Sequence, residues 1–274
     1  MRSSLILRLH DKETIIRVHV IIALSKLVGT ESPDEIVQGE RTILEMLLDT
    51  ISIDPSPYVQ ILHDAKMRIF FKVKMHFSEV RRAALMNVPL VPASLDVILS
   101  RTRDVDPVTR KLVYSGVLQF KLTNPRQLSI AQREQIVKDG LGDREPGVRV
   151  AAAKLVASWF DTAMVEALKT EDGPWKGDDD GLMKGLIHFL GLFDVAGPGE
   201  AVAVDAVLSI LTIRPDIAEV FTFEGLSVGQ PLPHLLSIAD LSFSCQLRRL
   251  LEGINIRIGR SCACVCRTLC IHRE

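Results

Sequence analysis

Aromatic residues make up only 5% of this 274-residue chain, so no series of rings stands between basic residues to stack on nucleobases. Cysteine is almost missing from the body. Cys245 stands alone until Cys262, Cys264, Cys266 and Cys270 crowd into nine residues at the end, a usage that fits a reducing compartment such as cytosol or nucleus. No stretch reads as an export signal or a membrane span. The most apolar early run, Ile15 to Val28, is too short and is broken by Arg17, His19 and Lys26. Motifs that carry catalysis are missing too: there is no G-x-S-x-G, P-loop, dinucleotide fingerprint or Cys–His–Asn arrangement. His10, His19, His63, His76, His188 and His234 show no metal-ligand spacing. The expectation is a protein that is not an enzyme, with no cofactor, no metal and no small-molecule substrate.

What the chain does have is aliphatic bulk. Hydrophobic residues reach 47%, mostly Leu, Ile, Val and Ala, which suits helices packed on helices in one large or two ordinary domains. The net charge of −1 conceals a segregation: residues 78–154 carry 13 Lys/Arg against 8 Asp/Glu, and residues 155–240 carry 4 against 14. A basic stretch beside an acidic one implies a surface that handles a polyanion in one place and not in the next.

A short phrase recurs. An acidic residue is followed six positions later by an arginine: Asp11 to Arg17, Asp104 to Arg110 and Asp143 to Arg149, with Glu13, Asp106 and Glu145 two positions after the first acid. Apolar residues then fall at offsets 5, 9, 12, 13 and 16, as in Val148, Ala152, Leu155, Val156 and Trp159. The first copy has Ile16, Val20, Ala23, Leu24 and Leu27 there, and the third has Thr109, Val113, Gly116, Val117 and Phe120. This is the stripe of one helical face, and its repetition predicts a stack of helix pairs, an α-solenoid. The first acid is expected at or within one residue of the helix N-cap, with Pro107 and Pro146 in the first helical turn. Each arginine is expected off the stripe, within reach of the equivalent Asp of a neighbouring repeat. Partner helices are expected over roughly 33–52, 92–102 and 129–141, the last capped by Ser129.

A fourth copy is interrupted. Removing the 21 residues Pro57 to Phe77 joins Asp54-Pro-Ser to Ser78-Glu-Val-Arg81, restoring the six-residue offset and placing Val80, Ala84, Asn87, Val88 and Val91 on the stripe. Residues 57–77 therefore read as an insertion or a retained intron; the alternative is an ordinary extra helix over Ile61 to Met75.

Basic residues flank the repeat turns, and two readings of them stand. Arg82, Arg101, Arg103, Lys111 and Lys154 are candidates for contacting nucleic-acid phosphates along one edge of the solenoid, without base readout. Asp11, Arg17, Arg81, Asp104, Arg110, Asp143 and Arg149 form instead a structural ladder, the arginines supporting the stack from within. The terminal C-x-C-x-C-x3-C run with His272 fits a structural zinc site poorly, since such sites want C-x2-C pairs. Asp178, Asp179 and Asp180 fit a solvated acidic linker better than a divalent-ion site.

The runs LRLHDKETIIRVHVIIALSKL (7–27), SEVRRAALMNV (78–88), LSRTRDVDPVTRKLVYSGVL (99–118) and LSIAQREQIVKDGLGDREPGVRVAAAKLVASWFD (128–161) resemble the HEAT repeats of the condensin subunit 3 family, the G-type non-SMC subunits, fungal sequences above all. The segment 190–217 is similar to the same family past its early repeats. The resemblance implies an all-α HEAT-repeat α-solenoid, a superhelical stack of antiparallel helix pairs. It also implies a non-catalytic scaffold that binds the kleisin subunit of condensin and, through it, the SMC ATPase subunits. Sequence-independent binding of double-stranded DNA, a role in mitotic chromosome condensation, and residence in the nucleus and on chromosomes, with a cytoplasmic pool, follow from the same source. The expected organisation is HEAT repeats over 1–169, an acidic Gly-rich linker over 170–181, further helical repeats over 182–223 and a divergent tail over 224–274. Family members are several times longer, so a truncated fragment is expected. The alternative is a cytosolic HEAT/ARM-type adaptor for transport or a phosphatase, binding peptides and no DNA.

Overall fold

The computed structural model describes residues 2–30, 41–52, 78–169, 179–214 and 216–217. The expected interruption at 57–77, the tail 224–274 and most of the linker 170–181 lie outside those residues. Among the described residues every regular element is helical: α1 (Arg2–Arg8), α2 (Thr14–Ser25), α3 (Ile43–Ser52), α4 (78–87), α5 (Pro92–Ser100), α6 (Pro107–Leu112), α7 (Ile130–Leu141), α8 (Pro146–Lys169), α9 (Asp179–Leu190) and α10 (Glu200–Ile213). A π-turn, Val113–Leu118, and a last short turn, Gln119–Lys121, continue α6. The chain divides into two compact units, Met1–Leu122 and Thr123–Glu274.

In the first unit α1 packs on α2, α2 on α3 and α3 on α5. The stripe residues explain why. Val20 and Leu24 of α2 are buried, as are Val80, Ala84 and Val88 of the interrupted copy. In the third copy Thr109, Val113, Gly116 and Val117 are buried, but Phe120 is 79% exposed, against the expectation that it completes the stripe. The π-turn is the reason. A wider turn inserts one residue into the helical register, so the place due to Phe120 passes to its neighbour. Lys121 takes it, half-buried, its ammonium donating to Met86 O and Val88 O at 2.6 Å each. Gly116 lets α6 approach α4 there: a Cβ on it would meet Met86 Sδ at 2.7 Å.

In the second unit α8 is the hub, packing on α7, α9 and α10. Its stripe, Val148, Ala152, Leu155, Val156 and Trp159, is entirely buried. Phe160, Phe189 and Phe193 form an edge-to-face chain with centroids 5.6 and 5.4 Å apart, tying α8 to α9 and the turn after it. Ser129 caps α7 through a capping box: Ser129 Oγ accepts from the Gln132 amide and Gln132 Oε1 accepts from the Ser129 amide, at 3.2 and 2.9 Å.

Candidate functional site

The repeat turn has one hydrogen-bond plan, used three times. The first acid accepts from the amide two residues on: Asp11 from Glu13 at 3.1 Å, Asp104 from Asp106 at 2.9 Å, Asp143 from Glu145 at 2.8 Å. This Asx turn places the second acid, not the first, at the helix N-cap, as Glu13 and Asp106 show. The first acid, expected at the N-cap or within one residue of it, stands two residues before it. Pro107 and Pro146 open their helices, where the missing amide is unneeded.

The six-residue spacing to arginine has a matching cause. One helical turn carries the guanidinium back over the Asx turn, where Nη1 donates to the carbonyls of the first acid and its successor. Arg17 reaches Asp11 O and Lys12 O at 2.5 and 3.0 Å, and Arg110 reaches Asp104 O and Val105 O at 2.8 and 3.3 Å. Arg149 reaches Asp143 O and Arg144 O at 2.8 and 2.9 Å. These bonds lie within the arginine's own repeat. The reach to a neighbouring repeat is made by Arg81, whose Nη2 lies 3.1 Å from Asp104 Oδ1 with both side chains at most 3% exposed. Arg101 approaches the other oxygen, Asp104 Oδ2, at 3.4 Å.

Asp106 sits beside this pair. Its carboxylate accepts from the Val108 and Thr109 amides and from the Thr109 hydroxyl, the last at 2.6 Å, and lies 3.1 Å from Arg82 Nε. Burial alone raises its pKa. The Thr109 hydroxyl bond, the Arg82 charge and the two amides together outweigh burial, so the carboxyl ionises below its ordinary 3.8. A folded-state pKa below the unfolded one means stabilisation present above about pH 4 and lost as the pH falls through the folded value. Asp106→Ala is expected to lower stability by about 1–2 kcal/mol at neutral pH. Asp106→Asn keeps a capping oxygen but flattens the acid limb of stability against pH, as urea titrations between pH 2.5 and 7 would read. An unchanged acid limb in the Asn variant would rule out this role for the carboxylate.

The five sequence candidates for phosphate contact divide. Arg82 and Arg101 are tied to Asp106 and Asp104 and are mostly covered, with side chains 27% and 14% exposed. Arg103 and Lys111 are exposed on the first unit, and Lys154 is exposed on the second. Lys154 lies at a groove of about 670 Å³ between α7, α8 and α10, whose lining includes Val137, Leu141, Val150, Val202, Leu208 and Ile213. Lys138 and Arg149 line it as well, and Asp205 faces it from α10.

Two polar residues escaped the repeat logic. Arg133, 5% exposed, donates through Nε to Leu192 O at 2.6 Å and through Nη1 to Leu128 O at 2.6 Å and Pro125 O at 3.2 Å. Burial, then repulsion by Arg126, pulls its pKa down despite Glu134. Next to it, Glu134 Oε1 accepts from the Asp194 amide at 2.8 Å. Both join α7 to the turn after α9, some 60 residues away, and no short-range pattern could have singled them out. Among the described residues no group of three His, Cys, Asp or Glu side chains gathers as a metal site, and no helix is long and apolar enough to cross a membrane.

No family model matches the chain. Individual proteins do. Condensin complex subunit 3 of Schizosaccharomyces pombe is 35% identical over 164 residues, 60% of this chain and 16% of that protein. The Saccharomyces cerevisiae protein of the same name is 28% identical over 232 residues, 80% of this chain and 18% of its own length. The human one is 30% identical over 162 residues, 58% of this chain and 13% of that protein. Among solved structures, the crystal structure of the S. pombe condensin Cnd3–Cnd2 subcomplex matches 94% of this chain and 28% of that chain, with a TM-score of 0.63 at 28% identity. The fold class is accordingly the all-α HEAT-repeat solenoid. The chain spans less than a fifth of the length of these relatives. By sequence and by fold it is a relative of condensin complex subunit 3.

Proposed function

We propose that this chain is a non-catalytic HEAT-repeat scaffold of the condensin type, which binds a kleisin segment and grips duplex DNA without reading its sequence. The observation that carries the reading is the likeness to a chain of the condensin Cnd3–Cnd2 subcomplex over nearly the whole of this one. Its setting would be the nucleus and chromosomes, with a cytoplasmic pool, and its link to the SMC ATPases would run through the kleisin. DNA contact falls first to Arg103 and Lys111, which are exposed within the basic stretch 78–154. Arg82 and Arg101 are poorer candidates, because their side chains are mostly covered, 27% and 14% exposed.

Phosphate contact without base readout has a clear signature: affinity falls with salt, and each lost contact lowers the slope of log K against log salt by about one. The full chain co-expressed with a kleisin fragment should bind a mixed-sequence duplex in this manner. Arg103→Ala/Lys111→Ala should weaken every duplex alike and reduce the slope by about two. Binding that is absent, or indifferent to salt, would defeat the DNA part of the reading and favour a peptide-only adaptor.

A further inference from the structure

The groove between α7, α8 and α10 combines two surfaces that a DNA backbone and a protein segment weigh differently. Its floor is aliphatic, with Val137, Leu141 and Ala153 below and Leu208 and Ile213 opposite, and Val150 stands 54% exposed within it. Its cations are Lys138, Arg149 and Lys154. A phosphate backbone gains nothing from an aliphatic floor. A short ligand with apolar anchors uses it, and a few acids on that ligand can meet the three cations, which outnumber the one acid of the lining, Asp205.

We propose that this groove is a docking site for an amphipathic helix of a protein partner, with aliphatic residues on one face and acidic residues along its flank. The groove's volume suits the apolar face of a short helix, and helix-in-groove recognition reads anchors at i, i+3, i+4 and i+7. Arg149 keeps Nη1 on its own repeat turn and still presents a charged guanidinium at the rim. Lys154 thereby belongs to a peptide site and leaves the set of DNA contacts. The proposal goes beyond the kleisin and DNA reading and changes it only at Lys154; the groove lies wholly within the second unit and its chemistry is set by its own lining.

The test uses the full chain and a fluorescein-labelled Leu/Glu amphipathic peptide of about four helical turns, with a twin in which every Glu is Lys. Fluorescence anisotropy should show the acidic peptide binding at least about tenfold tighter than its basic twin. Lys138→Glu/Lys154→Glu should invert that preference, which a merely unfolded variant could not do. Val150→Asp should weaken both peptides, while Lys12→Ala, at an exposed residue of the other unit, should change neither. Equal binding of the two peptides would overturn the proposal. So would a duplex DNA that loses affinity in Lys138→Glu/Lys154→Glu while the acidic peptide does not.

Discussion

Asp104→Ala is expected to lower the stability of this protein by about 3–5 kcal/mol, the range seen when one member of a buried ion pair is removed. The carboxylate does three things at once. Oδ1 lies 3.1 Å from Arg81 and accepts the Asp106 amide at 2.9 Å, while Oδ2 lies 3.4 Å from Arg101. Truncation leaves two mostly covered guanidiniums without the acid they share and unlatches the turn that starts α6. Asp104→Asn separates these effects, since an amide oxygen can still accept from Asp106 while the charge is gone; an intermediate loss is expected. Urea unfolding followed by circular dichroism gives both numbers. A loss below about 1 kcal/mol for the alanine variant would reduce the pair to the standing of a surface salt bridge.

Arg133→Ala is expected to be comparably severe, roughly 3–5 kcal/mol, through a different mechanism. Arg133 serves three carbonyls, and removing it leaves the oxygens of Leu128 and Leu192 without this donor in the interior. It also deletes a link between α7 and the turn after α9. Arg133→Lys should recover only part of the loss, because an ammonium cannot reproduce the guanidinium fork. Hydrogen exchange would locate the damage: amides of 191–199 should lose protection first, since the Arg133 link from α7 to that turn is gone while the Glu134 bond to the Asp194 amide remains. Uniform loss across both units would contradict a local staple.

Much of the fold was legible because repetition supplies its own control. The stripe at offsets 5, 9, 12, 13 and 16 is buried throughout in α8, and its lone exposed apolar member in the third copy, Phe120, fails where a π-turn shifts the register. Nothing local in VYSGVL announces a wider turn; the close approach that Gly116 allows between α6 and α4 accompanies it in the folded chain. The Ser129 cap was visible as Ser-x-x-Gln, a motif whose partners are three residues apart. The N-caps of the repeat helices fall one residue beyond the expected bound because the two acids of each phrase offer equivalent assignments, and the Asx turn selects the second.

The charges were harder to place. Sequence spacing put every repeat arginine near an acid, but a guanidinium one turn into a helix lies as close to its own turn's carbonyls as to a carboxylate. Arg17, Arg110 and Arg149 donate to the carbonyls, and Arg81 takes the neighbouring acid. Composition and the Asp-to-Arg phrase by themselves determined the helical class and the repeat register, because these rest on periodic patterns within a few tens of residues; the resemblance to condensin subunit 3 came from the wording of the runs around that phrase. Only the tertiary structure decided which partner each charge takes, that Arg133 is a buried staple, and that Lys154 borders an aliphatic groove. Those outcomes depend on burial and on contacts between helices distant along the chain, where a difference of an ångström decides the partner.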